Sequence, residues 1–398
     1  MPLTTAYPPA TRGRIVLWGL LASSPFGGMT WQVLHHLAGF RRLGFDVWYV
    51  EDSDRPVYDP VTYWPVADYT ANVAYLAQQM AHIGLSDRWV FRPPGVYDQC
   101  CGARDMAGLH QLYREAEAAF NLCGAQELRL EHQHLPCRVY LETDPVANQI
   151  AVATGHQPTI EALAGHHYIF TYGENLGAPD CGVPLTQFQW YPTRPPVCLD
   201  WWPAATPLAD DAALTTVANW RHTGKDIVWQ GETYYWSKHY EFEKLLALPA
   251  RAALPLELAL GGMREAERQH MCQHGWRIVP SVSLADPCAY HAYICGSLGE
   301  FTVAKDQNVR LRSGWFSDRS ACYLAAGRPV ITQDTGFGNI LPTGAGLFAF
   351  TTKDEALAAI AAVAQGYTRH ATAARQLAEE YFAAERVLGA LLRRTGLL

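Results

Sequence analysis

Short apolar runs, each closed by a polar or glycine-containing loop, recur along this chain. The first, Arg14-Ile-Val-Leu-Trp-Gly19, predicts a buried strand. A loop, Ala22-Ser-Ser-Pro-Phe-Gly-Gly28, separates it from apolar residues at helical spacing between Thr30 and Leu43, where Gly44 is the stop. Phe45 to Val50 predicts the next strand and leaves Glu51 and Asp52 at its carboxyl end. Strand, glycine-rich turn, helix and strand within about 35 residues make a βαβ unit, which requires a parallel sheet.

The same reading predicts helices over Tyr69 to Ile83 and Leu109 to Leu122, and strands over Arg138 to Glu142 and Tyr168 to Tyr172. Pro145 breaks the chain just after Thr143 and Asp144, and a helix from Val146 to Val152 follows. Between Gly177 and Thr206 six prolines interrupt any regular element, with Trp190, Tyr191, Trp201 and Trp202 interleaved. That stretch reads as a semi-rigid linker packed down by its aromatic rings.

Beyond it the strand pattern restarts at Leu214 to Ala218, Leu256 to Leu260, Arg277 to Pro280 and Tyr290 to Cys295, with a helix over Lys238 to Leu248. Two αβ domains, residues 1–176 and 207–370, then flank the linker 177–206. A helix over Lys353 to Ala364, capped by Thr351 or Thr352, precedes a long helix over Thr368 to Leu392, and residues 371–398 form the closing unit. Open parallel sheets bind ligands outside their strand carboxyl ends, so the cleft between the two sheets is the expected site.

Gly296 to Phe350 is the richest segment. A polar loop, Arg312-Ser313-Gly314-Trp315-Phe316-Ser317-Asp318-Arg319, runs into a helix over Ser320 to Ala326 that Gly327 stops. Pro329 opens a buried strand, Val330-Ile331-Thr332, which ends in a second loop, Asp334-Thr335-Gly336. A helix N-terminus beside a strand-end loop offers backbone N–H groups and a dipole to phosphate. Arg319 is then a phosphate ligand or a solvated side chain, and Ser317 with Asp318 either meets a ribose or caps the helix. Asp144, at a strand end, is a candidate general base for an acceptor hydroxyl, or an Asx-turn residue. Glu51, Asp52 and Glu174 occupy comparable strand ends. Gly27 and Gly28 either let backbone approach a substrate or serve a turn that needs positive φ.

Composition narrows the field. With 398 residues the chain exceeds one ordinary core, and 49% apolar with 17% charged residues describes a soluble, well-buried protein. A net charge of −7, with no Lys/Arg run of four, argues against a nucleic-acid surface. Aromatics at 12% suit a ring-lined cleft, although large cores use them too. No apolar stretch reaches the ~18 residues of a spanning helix, and the Pro- and Thr-rich start lacks a signal-peptide core. Ten scattered cysteines without C-x-x-C read as free thiols, and the expected location is the cytoplasm. His35-His36, His132-x-His134 and His166-His167 do not form a helical pair with a supporting carboxylate, so no metal site is expected. G-x-S-x-G and the P-loop are absent, and Gly27-Gly28 is not G-x-G-x-x-G.

Ser320-Ala-Cys-Tyr-Leu-Ala-Ala-Gly-Arg-Pro-Val330 resembles the donor-site helix and following strand of GT-B glycosyltransferases. Gly336 to Leu347 is similar to that family's next loop, and Gly27-Gly28 with Gly44-Phe-Asp-Val47 to its N-terminus. The resemblance implies two Rossmann-like parallel-sheet domains facing a cleft, with the C-terminal helix packing back on the first domain. It implies transfer of a sugar from a nucleotide diphosphate sugar, UDP- or dTDP-linked, to a small-molecule or glycan acceptor without cofactor or metal. The donor would lie on Arg312, Ser313, Gly314, Ser317, Asp318, Arg319, Ser320, Asp334, Thr335 and Gly336. Gly27, Gly28 and Glu174 would face the acceptor, and Asp144 would serve as base. Cys322 stands where many retaining members carry Glu. Alternative readings are a sugar-nucleotide epimerase on the same scaffold and a non-catalytic nucleotide- or carbohydrate-binding protein.

Overall fold

The computed structural model describes residues 7–59, 61, 62, 64–204 and 207–398. Strand β1 (Arg14–Trp18), helix α1 (Gly27–Arg42) and strand β2 (Asp46–Glu51) form the expected βαβ unit. A hairpin of β3 (Val57–Tyr58) and β4 (Pro65–Val66) leads to α2 (Thr70–His82), then to β5 (Trp89–Phe91) and β6 (Cys101–Gly102). Next come α3 (Met106–Glu115), β7 (Ala118–Leu122), β8 (Cys137–Glu142), α4 (Ala147–Ala153) and α5 (Gln157–Ala164). Strands β9 (Tyr168–Thr171) and β10 (Trp190–Pro192) complete an eight-stranded sheet ordered β10-β9-β8-β7-β1-β2-β5-β6. Only its β5–β6 pair is antiparallel.

The second sheet has six strands, all parallel. It begins with β11 (Leu214–Asn219), followed by a hairpin of β12 (Ile227–Trp229) and β13 (Glu232–Tyr234) that stands apart from the sheet. Helix α6 (His239–Lys244), β14 (Leu256–Gly261), α7 (Glu265–Gln273), β15 (Arg277–Pro280) and α8 (Pro287–Gly296) come next. Then follow β16 (Gly299–Thr302), α9 (Asp306–Arg310), α10 (Asp318–Ala325), β17 (Val330–Gln333) and β18 (Leu347–Phe350). The order is β15-β14-β11-β16-β17-β18. Helices α11 (Lys353–Gln365), α12 (Tyr367–Leu377) and α13 (Ala384–Thr395) end the chain.

Two expected elements change type. Tyr290 to Cys295, expected as a strand, lies in α8. The Asp286 side chain accepts from Ala289 N–H, Pro287 sits at the first turn, and Tyr290 and Ile294 share the buried face. The buried strand of this region is β16, four residues further on. Leu109 to Leu122, expected as one helix, is α3 followed by β7. Ala116 is already extended, and all five residues of β7 are buried between β1 and β8. In the expected linker, Trp190–Pro192 adds an edge strand to the first sheet.

The expected long C-terminal helix is broken. Ala383 is extended, and its neighbours exchange backbone hydrogen bonds with Val197. The break turns α13 back onto α1, where a Cβ on Gly39 would lie 2.5 Å from Leu388 Cδ1 and 3.2 Å from Ala384 Cβ. The C-terminal helix therefore packs on the first half, across the strand order of the second. Helix α10 stops as the sequence implies. Gly327 (φ +65°) donates to Leu324 O and Arg328 N–H to Tyr323 O, a Schellman closure.

Candidate active site

In each sheet the chain reverses direction at its first strand. From β1 it moves to β2 on one side and β7 on the other, and from β11 to β14 and β16. A cavity of about 650 Å³ opens where these two switch points face each other. Its first-half wall comes from the loop after β1 with the start of α1, and from Thr143 and Asp144 after β8. The second-half wall comes from the end of β11, Lys238 before α6, Lys305 after β16, and Trp315 with Ser317, Asp318 and Arg319.

The N-terminus of α1 points at this cavity and has no side-chain cap. Gly27 and Gly28 both line it, yet the glycine requirement at Gly27 comes from the protein. A Cβ there would meet Leu284 O at 2.7 Å and Tyr290 Cβ at 2.9 Å, so the small residue lets the second half close against the helix.

The charges are unevenly paired. Arg319 is not free: its Nε donates to Glu300 Oε1 at 2.5 Å, Nη1 to Val217 O at 2.7 Å and Nη2 to Thr302 Oγ1 at 3.1 Å. Lys305 Nζ pairs with Asp144 at 2.5 Å and sits 3.3 Å from the Trp236 ring centre. Lys238 is only 9% exposed and has no hydrogen-bond or carboxylate partner among the described residues. Burial, aided by Arg319 and Lys305 nearby, pulls its ammonium down to about 7. Burial likewise pushes Glu142 up to about 7 and raises Asp318. Glu142 accepts from Thr171 Oγ1, Gln149 Nε2 and Asn148 Nδ2. Gln149 in turn accepts from Val146 N–H at 2.6 Å, holding Val146 at φ +93°, a strained conformation for a β-branched residue. The strain lies two residues beyond Asp144, at the cleft.

No family model matches this sequence, and no curated protein matches it. Solved structures do. HepE of Anabaena, solved with UDP and glucose, is similar over 97% of this chain and 100% of that one, with a TM-score of 0.56 at 10% identity. AviGT4, a glycosyltransferase involved in avilamycin A biosynthesis, is similar over 96% of this chain and 97% of its own, with a TM-score of 0.53 at 10% identity. An α-glucosyltransferase solved with UDP and a 13-mer DNA gives a TM-score of 0.56 at 9% identity, over 97% of this chain and 100% of that one. The chain has the GT-B fold.

In this GT-B chain, Gly27, Gly28, Asp144, Ser317, Asp318 and Arg319 are brought to the cleft from the residues singled out in the sequence. Arg312, Ser313, Gly314, Asp334, Thr335 and Gly336 do not line it. They build a strut to the first half. Arg312 pairs with Asp180 at 2.7 Å and Asp334 at 2.8 Å, Asn175 N–H donates to Ser313 O, and Gly314 N–H donates to Thr335 O at 2.7 Å. Ser320 is buried within α10, and Glu174 is held by Arg194 at 2.6 Å.

Gly314 (φ +81°) lets this strut close, because a Cβ there would fall 2.2 Å from Asn175 N. Gly314→Ala is expected to destabilise the protein by about 2 kcal/mol or more, read from urea unfolding. A variant as stable as the parent would show that the strut carries no stability.

Asp52, Glu131 and His132 place ligand atoms within 4.8 Å of one another, away from the cavity. A guanidinium fills that role: Arg129 pairs with both Asp52 and Glu131 at 2.5 Å. No helix among the described residues is long and apolar enough to cross a membrane.

Sequence reasoning passed over Lys238, Lys305, Lys225, Arg55 and Glu142, which all line the cavity. A signal for the lysines was present. The chain has five lysines in 398 residues, and three of them are these.

Proposed function

We propose that this protein transfers a sugar from a nucleoside diphosphate sugar, with UDP as the nucleotide, to an acceptor hydroxyl bound in the same cleft, without a metal ion. The observation that carries the reading is Lys238: a largely buried amine over the Trp315 ring, with no hydrogen-bond or carboxylate partner among the described residues, faces the cavity and gains from an anion bound there. Lys225 and the start of α1, which has no side-chain cap, face the same space and support a diphosphate there. The UDP present in the HepE and α-glucosyltransferase structures supports the choice of nucleotide.

In this reading the leaving diphosphate gains negative charge as the glycosidic bond breaks, and the cations of the cleft stabilise it. Asp144 is the proposed base. Its pairing with Lys305 holds the carboxylate at the cleft, and its half-exposed side chain leaves access to an acceptor hydroxyl. The acceptor in this reading is a small molecule or the end of a glycan.

Calorimetric titration with UDP across pH tests this. Lys238 must be protonated to meet phosphate, and in the free protein it loses its proton as pH rises through about 7. Bound phosphate holds that proton, so UDP affinity falls by up to about tenfold per pH unit between about pH 7 and 9, with proton uptake on binding. Failure of every nucleoside diphosphate to bind would refute the donor reading. Binding that is flat over that window would remove Lys238 from the diphosphate site.

A further inference from the structure

Five cations line the cleft: Arg55, Lys225, Lys238, Lys305 and Arg319. Arg319 is committed to Glu300 and Lys305 to Asp144. The other three have no carboxylate partner among the described residues. Lys225 and Lys238 rise from the second half, and together they match the two charges of a nucleoside diphosphate sugar. Arg55 is different. It follows β2, in the first half, and reaches the end of the cavity lined by Cys123, Tyr140 and Asn148.

Arg55 is held in place by backbone carbonyls alone. Its Nε donates to Ala125 O at 2.9 Å and its Nη2 to Gly124 O at 2.8 Å, while Nη1 has no partner among the described residues. Two neutral acceptors orient the guanidinium without neutralising it, and its charge acts on Tyr140 and Cys123 beside it. Glu142, which also lines the cavity, accepts from Thr171, Gln149 and Asn148. A planar fork fixed by carbonyls, with its charge uncancelled, suits a carboxylate or phosphate oxygen pair.

We propose that Arg55 recognises an acidic group, a carboxylate or a phosphate, on the acceptor, so that the transferase selects anionic acceptors over neutral ones. This rests on the sugar-transfer reading above, with the donor on the second half of the cleft and the acceptor on the first. On this division the first-half wall offers the acceptor a guanidinium whose Nη1 has no partner among the described residues.

The test uses the full chain, saturated with UDP and titrated by calorimetry with three probes. They are p-nitrophenyl β-glucoside, p-nitrophenyl β-glucuronide, and p-nitrophenyl β-glucoside phosphorylated on its primary hydroxyl. At least one acidic probe is expected to bind about tenfold more tightly than the neutral one, and the margin to shrink as salt is raised. Which of the two wins tells carboxylate from phosphate. Arg55→Ala should erase the margin and Arg55→Lys restore part of it, with UDP affinity unchanged in both. Equal affinities for all three probes, no binding of the acidic ones, or a margin that survives Arg55→Ala would each overturn the proposal. If UDP itself fails to bind, the sugar-transfer reading falls separately, and the same probes titrated against the free protein still decide the role of Arg55.

Discussion

Lys238→Met is expected to weaken UDP binding by about one hundredfold or more while making the free protein harder to unfold. The two effects share one cause. In the free protein Lys238 is buried with no hydrogen-bond or carboxylate partner among the described residues, and burial holds it near 7. Its pKa is lower in the folded than in the unfolded chain, so the unfolded chain binds more protons between about 7 and 10. Stability therefore rises with pH across that window, and below it the whole burial penalty is present. Methionine fills much of the same volume without a charge, which should stabilise the free protein by about 1–2 kcal/mol at neutral pH. With UDP bound, the ammonium would instead be one half of a desolvated ion pair. Removing one partner of such a pair costs about 2–5 kcal/mol, which sets the expected loss of affinity. Urea unfolding and calorimetry on the same variant read both. A destabilised variant with intact UDP affinity would contradict the assignment.

Arg319→Ala is expected to act on the fold before it acts on the donor. Its guanidinium ties the start of α10 to Glu300 and Thr302 on β16 and to Val217 O on β11, and Glu300 is fully buried. Alanine leaves that carboxylate uncompensated, at a cost of about 3–5 kcal/mol. The paired replacement Arg319→Met with Glu300→Leu removes both charges and should recover most of the loss in urea unfolding. If the single variant is as stable as the parent, the ion pair is not what joins α10 to the sheet. Because of this coupling, weaker UDP binding in Arg319→Ala would not by itself report a lost phosphate contact.

Much of the fold was legible where local chemistry and tertiary context agree. The Pro145 break after β8, the Gly327 stop after α10 and the Thr352 cap of α11 are each set by a residue whose backbone preference leaves little choice. The misread elements are those where apolar content was clear but period was not. Tyr290 to Cys295 is apolar enough for a strand. The preceding Asp286-Pro287, an N-cap followed by a first-turn proline, was the available sign of a helix. Between Leu109 and Leu122 no glycine or proline marks the passage from α3 to β7, and only the place between β1 and β8 decides it.

The site divides along the same line. Asp144, Asp318, Arg319 and the Gly27-Gly28 pair sit at strand ends and helix starts, and parallel-sheet topology sends such positions to the cleft. Arg312 and Asp334 also occupy loop positions of that kind. Their charges, however, satisfy Asp180 and each other across the two halves. Nothing local tells a loop that binds a ligand from one that binds the opposite domain. Lys238 and Lys305 follow an irregular stretch and a strand, with no motif around them. Their meaning comes from burial and from the scarcity of lysine elsewhere in the chain.

A crystal structure of the protein with UDP tests the central claim most directly. The account predicts the diphosphate within hydrogen-bond distance of Lys238 Nζ, facing the amides of Gly27 and Gly28 in the cleft. A diphosphate seated instead on the Asp334-Thr335-Gly336 loop, or outside the cleft, would contradict it.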